Sequence, residues 1–198
     1  MNLPNKLTVS RMVMAPLLFV AFQIPLWLDS SWQTFSIIAV LVLFVLIEAT
    51  DLLDGIIARR CHLVTDLGKV MDPFADTFSR LTYFVCLSSV GIMPLWTFVI
   101  IVWREFSIVF LRMLMMGKGV AVPANIWGKS KAVLYAISAV FGFMFIAISH
   151  WAPKAVFLTE TAVVINIVFA LAAIASVASF ATYVSAVLKS GSLKNMSR

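Results

Sequence analysis

Long apolar runs alternate with short polar breaks along the 198 residues of this chain. A helix needs about 20 predominantly apolar residues to cross the hydrocarbon core of a bilayer. Six runs approach or exceed that length, so the pattern predicts an all-α integral membrane protein with six transmembrane helices in one domain, residues 1–198. The predicted spans are Met12–Leu28, Thr34–Ala58, Leu67–Ile92, Leu95–Met116, Lys129–Ser149 and Glu160–Leu188.

The segment Leu3–Arg11, which precedes the first apolar run, mixes polar and apolar residues. We predict that it forms a short helix lying in the membrane interface. The run that follows resembles the core of a secretory leader, but no small-residue cleavage site comes after it. We therefore expect this run to be retained as the first membrane span.

Composition supports the membrane assignment. The chain is 62% hydrophobic and 12% charged, whereas soluble domains are typically about 45–50% apolar and about 25% charged. The net charge of +6 does not indicate a nucleic-acid partner, because no basic stripe is interleaved with aromatic residues. Cys61 and Cys86 have no metal-site spacing and predict neither a metal site nor a disulfide.

The basic residues predict the orientation. With six spans, the two termini, the loop between spans two and three and the loop between spans four and five share one side. Nearly all basic residues lie on that side, and the opposite side has only Lys154. Basic loops face the cytoplasm, so we expect a multi-pass protein of the inner (cytoplasmic) membrane with cytoplasmic termini. The basic residues of the shared side are Lys6, Arg11, Arg59, Arg60, Lys69, Arg112, Lys118, Lys129, Lys131, Lys189, Lys194 and Arg198.

Four aspartates stand out in the stretch between residues 51 and 76, at the predicted cytoplasmic ends of spans two and three. At 100° per residue, Asp51 and Asp54 lie on one face of their helix, and Asp72 and Asp76 lie one turn apart on the next. We expect the two faces to oppose each other. Small residues that would allow close approach share these faces, namely Gly55, Ala58 and Gly68.

Four carboxylates at close range repel one another strongly in a medium of low dielectric constant, so they need cations. Oxygen ligands suit Mg²⁺, Mn²⁺ or Ca²⁺, and two such ions commonly hold a phosphate or diphosphate during a displacement. Two alternatives remain open at this point: charges that merely stabilise helix ends, and a proton or cation relay in a transporter. The regular spacing and the small residues favour the metal–phosphate site.

The same spacing resembles the motif of the CDP-alcohol phosphatidyltransferase family. The match, at every defined position, reads Asp51-x2-Asp54-Gly55-x2-Ala58-Arg59-x8-Gly68-x3-Asp72-x3-Asp76. The resemblance implies a homodimeric six-helix membrane enzyme with two divalent cations, Mg²⁺ or Mn²⁺, at its cytoplasmic face. It also implies transfer of a phosphatidyl or similar group from a CDP-linked donor to an alcohol, with release of CMP.

The resemblance assigns roles to individual residues. It implies that Asp51, Asp54, Asp72 and Asp76 hold the metals and that Asp76 is also the base that deprotonates the acceptor hydroxyl. It implies a binding site for the CDP part of the donor. The residues implied for that site are Asn5, Thr8, Gly55, Ala58, Arg59 and Gly68.

Within the family, the chain most resembles members that use CDP-diacylglycerol and sn-glycerol 3-phosphate. That likeness includes Pro4-Asn5-Lys6-Leu7-Thr8 followed by Arg11, and Trp127-Gly128-Lys129; by resemblance, Arg11 also touches the nucleotide. A phosphorylated acceptor needs cations, and Arg104 and Arg112 converge on one helix face while Lys129 enters from the next span. An ion pair between Arg104 and Glu105 is the alternative, and Lys131 is expected at the surface.

One position departs from these relatives, which usually have lysine directly after the last aspartate. This chain has Thr77 there, and Arg80 follows one turn beyond Asp76. The acceptor therefore stays open between glycerol 3-phosphate and another alcohol, such as inositol phosphate, serine, choline or phosphatidylglycerol. The three basic residues favour a phosphorylated acceptor. A divalent-cation transporter is the alternative of a different class, and carboxylates confined to one membrane face argue against it.

Overall fold

The computed structural model describes residues 2–61, 63, 65–116, 126–154 and 158–189. Within these residues every regular element is helical, which confirms the predicted all-α class. The described residues form six long helices, with one turn of 3₁₀ helix at Ser30–Trp32. The helices are α1 (Leu3–Trp27), α2 (Gln33–Arg60), α3 (Asp66–Ser89), α4 (Leu95–Met116), α5 (Ile126–Trp151) and α6 (Leu158–Lys189).

The separate N-terminal interfacial helix is not confirmed, because Leu3–Arg11 forms the first turns of the continuous helix α1. Asn2 caps the helix by accepting a hydrogen bond from the backbone N–H of Asn5 at 3.2 Å, and Pro4 lies in the first turn, where no N–H is needed. No residue that would break a helix separates this turn from the apolar run. Pro16 lies further along the same helix without ending it.

The helices form two groups. In the first, α1 packs along both α2 and α3. In the second, α6 packs against α5 and α4. Helix α3 joins the groups by contacting α4 and α5, and edge-to-face aromatic pairs fill the junction. Phe84 on α3 lies 5.3 Å from Tyr135 and 5.9 Å from Phe169 between ring centroids.

Four helical segments are long and apolar enough to cross a membrane, which makes the chain a multi-pass membrane protein. Helices α3 and α4, with 24 and 22 residues, are also long enough, but charged residues interrupt their apolar runs. Four exposed tryptophans lie near the helix ends remote from residues 51–76, where aromatic side chains anchor a protein at the membrane interface. The qualifying segments are Leu3–Trp27, Ser30–Arg60, Ser130–Trp151 and Glu160–Leu188. The tryptophans are Trp27, Trp32, Trp96 and Trp151.

Candidate active site

Helix α1 presents a buried stripe that contains polar side chains at its N-terminal end. Thr8 and Arg11 are 3% and 1% exposed, and they continue in register with the buried Ala15 and Leu18. Residues three and four apart share one face of a helix. The apolar part of the stripe packs into the core, while Thr8 and Arg11 point between the ends of α2 and α3.

Arg11 lies at the centre of all four predicted metal ligands. Its Nη1 donates to Asp51 and, at 2.7 Å, to Asp76. Its Nη2 donates to Asp54 at 2.7 Å and to Asp72 at 2.5 Å. We refer to this arrangement of one guanidinium and four carboxylates as the carboxylate cage. The structure therefore brings together all four aspartates that the spacing singled out.

The two carboxylate faces oppose each other as expected, since carboxylates of α2 and α3 lie close together. The two helices make little direct backbone contact, whereas α1 packs along both, and Arg11 of α1 contacts carboxylates of both. Helical periodicity describes one helix at a time and does not reveal this contribution of α1.

The cage has the chemistry of a divalent-cation site. Carboxylate oxygens of Asp51, Asp72 and Asp76 lie within 4.8 Å of one another. Ligand atoms at about 2.0–2.6 Å from one ion lie at most about 4.0–5.2 Å from one another, so three of the four aspartates fit a single ion. Asp54 is the most enclosed of the four, and its Oδ2 also accepts a hydrogen bond from Thr8 at 3.1 Å. Asp76 has a second cationic neighbour, Arg80, at 3.5 Å.

A cavity of about 180 Å³ opens beside the cage, and we refer to it as the donor pocket. All six residues that the resemblance assigned to the CDP part of the donor line this cavity, together with two of the aspartates. Its volume is below the roughly 300–1,000 Å³ of typical ligand sites, so it can enclose only part of a lipid-linked nucleotide. The lining residues are Pro4, Asn5, Thr8, Asp54, Gly55, Ala58, Arg59, Leu63, Thr65, Gly68, Lys69 and Asp72.

Thr65 organises one wall of the donor pocket and was missed by sequence reasoning. Its hydroxyl oxygen caps α3 by accepting from the backbone N–H of Gly68 at 3.0 Å, and it accepts from Asn5 Nδ2 at 3.1 Å. A threonine directly before an acidic first turn is a recognisable helix cap. Its tie to Asn5, 60 residues away, has no local sequence signal. A Cβ atom at Gly68 would lie 2.9 Å from Asn5 Oδ1, so glycine permits this contact.

A second cluster of buried charges lies between α3, α4, α5 and α6, and we refer to it as the Glu105 cluster. Glu105 accepts from Arg104 Nη1 at 2.9 Å and from Lys131 Nζ at 2.5 Å. Thr77 donates to the same carboxylate at 3.4 Å, and Arg104 Nη2 donates to Ser179 at 2.9 Å. All of these side chains are less than 9% exposed. Thr77, at which this chain departs from the resemblance described above, thus packs against this cluster.

Of the three predicted acceptor-phosphate residues, the structure describes the side chains of Arg104 and Arg112. Arg104 forms the ion pair with Glu105 that was the alternative interpretation. Arg112 is exposed on the same helix, and Lys129 lies in α5 with its side chain outside the described part of the chain. The expectation of a surface-exposed Lys131 was wrong, since this residue is 5% exposed and its ammonium is paired with Glu105.

A larger cavity, of about 330 Å³, lies at the opposite end of the bundle between α1, α2 and α5. Its lining is mainly apolar and includes Phe22, Val40 and Phe143, with His150 among the few polar members. No aspartate or glutamate is among the lining residues. This cavity is therefore remote from the carboxylates, and the candidate site is identified by its charges rather than by cavity size.

Comparisons with known proteins agree with this geometry. A protein named CDP-diacylglycerol–glycerol-3-phosphate 3-phosphatidyltransferase from Bacillus subtilis (strain 168) is 34% identical over 145 residues, which cover 70% of this chain and 75% of that protein. A protein of the same name from Treponema pallidum (strain Nichols) is 34% identical over 149 residues, which cover 73% of this chain and 69% of that protein. The family model described as CDP-alcohol phosphatidyltransferase matches residues 1–188, and the chain belongs to this family of phospholipid-synthesising enzymes.

Proposed function

We propose that this enzyme transfers the phosphatidyl group of CDP-diacylglycerol to sn-glycerol 3-phosphate, giving phosphatidylglycerophosphate and CMP. The observation that carries the proposal is the convergence of Asp51, Asp54, Asp72 and Asp76 beside a pocket lined by all six expected donor residues. The choice of glycerol 3-phosphate is supported by the names of the relatives from Bacillus subtilis and Treponema pallidum.

The four aspartates would hold two divalent cations, Mg²⁺ or Mn²⁺, and the fit of three carboxylates to one ion supports this assignment. Such ions neutralise the diphosphate of the donor and stabilise CMP as it leaves. The donor pocket would hold the cytidine end of the donor, with Arg59 as its exposed cation and Gly55, Ala58 and Gly68 leaving room at the wall.

The reaction is a displacement at phosphorus. Asp76 Oδ1 or Oδ2 accepts the proton of the acceptor hydroxyl, and the hydroxyl oxygen forms a new bond to the phosphorus that carries the diacylglycerol. The bond from that phosphorus to CMP breaks, and CMP leaves with the electron pair. Asp76 is suited to the role because Arg11 at 2.7 Å and Arg80 at 3.5 Å orient its carboxylate.

Arg104, Arg112 and Lys129 are proposed to supply positive charge for the acceptor phosphate. The charge balance on this side of the bundle supports the assignment, because the Glu105 cluster contains two buried cations for one carboxylate. We further propose that all six long helices cross the inner membrane, that the cage lies at its cytoplasmic face, and that the enzyme is a homodimer.

An acceptor panel tests the reaction. Purified protein, CDP-diacylglycerol and Mn²⁺ are incubated with glycerol 3-phosphate, inositol phosphate, serine, choline or phosphatidylglycerol, and CMP release is measured. We expect CMP only with glycerol 3-phosphate, together with a lipid product of the mass of phosphatidylglycerophosphate. CMP release with a different alcohol instead would show that the enzyme uses another acceptor of the family. The Asp76→Asn variant controls for CMP released by contaminating enzymes.

A further inference from the structure

The position of Arg11 has a consequence for how metal ions enter the site. The guanidinium is 1% exposed and contacts one oxygen of each of the four aspartates. A divalent cation bound by Asp51, Asp72 and Asp76 together would lie among the same carboxylates that Arg11 contacts. A guanidinium and a metal ion therefore compete for the same carboxylates.

We propose that Arg11 is a positioning residue that holds the four carboxylates together while no divalent cation is bound and withdraws from them as the metal enters. This inference rests on the proposed function only for the identity of the metal ligands. Without a central cation, four carboxylates at this distance would repel one another and separate. Arg11 thus keeps the ligands in place at the expense of apparent metal affinity.

The bonding of Arg11 fits a replaceable occupant. Its two terminal nitrogens are fully engaged by carboxylates, but Nε is buried and finds no acceptor among the residues that the structure describes. A buried donor without a partner is unfavourable. Four carboxylates around one guanidinium also leave an excess of three negative charges, whereas two divalent cations in place of the guanidinium would balance all four carboxylates.

Arg80 provides a matched control. It carries the same charge and lies 3.5 Å from Asp76, but among the described residues Asp76 is its only ion-pair partner. If Arg11 weakened metal binding only through its charge, removal of Arg80 should strengthen metal binding to a similar extent. If Arg11 competes for the ligand atoms, removal of Arg11 should have a much larger effect.

The affinity test uses purified full-length protein from which metals have been removed with EDTA, titrated with Mn²⁺ by calorimetry. We expect Arg11→Ala to bind Mn²⁺ at least about tenfold more tightly than the wild type, since one or more charge-assisted bonds no longer have to be broken. Arg80→Met should change the affinity by less than about threefold. The Arg11→Ala variant should also lose thermal stability in EDTA and recover it in Mn²⁺.

A labelling test needs no variant. An arginine-specific dicarbonyl reagent is applied to the wild type with and without Mn²⁺, and modification is quantified by peptide mass spectrometry. Arg11 should react several-fold faster with Mn²⁺ present, while Arg60, exposed at the end of α2, should react equally in both conditions.

Three outcomes would overturn the proposal: equal or weaker Mn²⁺ binding by folded Arg11→Ala, equal tightening by Arg80→Met, or unchanged labelling of Arg11. If Arg11→Ala does not fold, Arg11→Lys replaces it, because lysine keeps the charge but cannot span four carboxylates. None of these measurements involves CMP. An enzyme that releases no CMP with any alcohol would refute the proposed reaction, while the response of Mn²⁺ binding to Arg11 would still decide this inference.

Discussion

The carboxylate cage and the Glu105 cluster are both buried sets of charges, but they have opposite compositions. The cage places four carboxylates around one guanidinium, whereas the Glu105 cluster places Arg104 and Lys131 around one carboxylate. The first is left with an excess of negative charge and the second with an excess of positive charge. An excess of either sign in a membrane protein calls for a partner of the opposite sign.

The difference indicates how one reaction can use both halves of the bundle. The cage is built by α1, α2 and α3, and its excess charge suits divalent cations. The Glu105 cluster is built mainly by α4, α5 and α6, and its excess charge suits an anion. Thr77 follows Asp76 directly on α3 and contacts Glu105 at 3.4 Å, so the two clusters are adjacent in the fold.

Loss of the proposed base should have the largest effect. Asp76→Asn keeps the shape of the side chain but cannot accept the proton, so the turnover number for CMP release should fall by about 10²–10⁴-fold. Donor binding should change little by comparison, because the donor pocket is lined by other residues. Steady-state kinetics and CDP-diacylglycerol binding measure the two effects. Turnover within a few-fold of the wild type would refute the base assignment.

Removal of the single acid of the Glu105 cluster should mainly reduce stability. Glu105→Gln leaves Arg104 and Lys131 buried without their carboxylate, and loss of one partner from a buried ion pair typically costs about 3–5 kcal/mol. Thermal unfolding in detergent should show a large decrease for Glu105→Gln. Glu160→Gln, which alters an exposed acid in the first turn of α6, is the matched control. Equal unfolding temperatures for the two variants would show that the cluster contributes little to stability.

Gly68 and Gly55 differ in how closely a neighbouring side chain approaches the position of an added methyl group. Gly68→Ala places a methyl group 2.9 Å from Asn5 Oδ1, and Thr65 holds that amide in place. We expect the KM for CDP-diacylglycerol to rise by more than about tenfold, in line with the effect of overpacking. Gly55→Ala contacts only the flexible end of Arg59 at 3.4 Å, so its KM should stay within about threefold. A larger rise in KM for Gly55→Ala than for Gly68→Ala would indicate that the donor does not bind in the donor pocket as proposed.

Arg112 tests whether the α4 side recognises the acceptor. Arg112→Ala removes an exposed cation, so the fold should be unaffected, while the KM for glycerol 3-phosphate should rise by about tenfold through loss of a charge-assisted bond. The KM for the donor should be nearly unchanged. Arg60→Ala, an exposed cation on the cage side, is the control. Equal changes in both KM values for Arg112→Ala would argue against a dedicated acceptor-phosphate site.

Thr65 should give the smallest effect. Thr65→Val loses the hydroxyl that caps α3 and holds Asn5, which should lower the free energy of unfolding by about 1 kcal/mol. Thr65→Ser retains the hydroxyl and should behave like the wild type. Chemical denaturation with both variants measures the difference. If valine and serine are equivalent at this position, the hydroxyl has no role in the pocket wall.

Sequence reasoning succeeded where one helix contains the relevant information. The i, i+3 and i, i+4 spacing of Asp51, Asp54, Asp72 and Asp76 predicted the two carboxylate faces, and the structure brings them together. The resemblance likewise assigned six residues to the donor, and all six line one cavity. These features depend on local periodicity and on fixed motif positions, both of which are visible in the chain itself.

Features that depend on the rotation of one helix against another could not be predicted. Arg11 was assigned to the nucleotide by resemblance, although it follows Thr8 by three residues and precedes the buried Ala15 by four. That spacing placed it on the buried face. Lys131 was expected at the surface but is buried. Its partner Glu105, 26 residues earlier, has no local sequence signal.

The separation of the two clusters along the chain bears on how the protein is made. Every side chain of the carboxylate cage lies between residues 11 and 76, within the first three helices. Domains generally fold from the N-terminus during synthesis. The cage can therefore close in the membrane before the ribosome has produced α4, α5 and α6. An internal counter-charge on α1, which precedes α2 and α3 in the chain, is available as soon as the aspartates arrive.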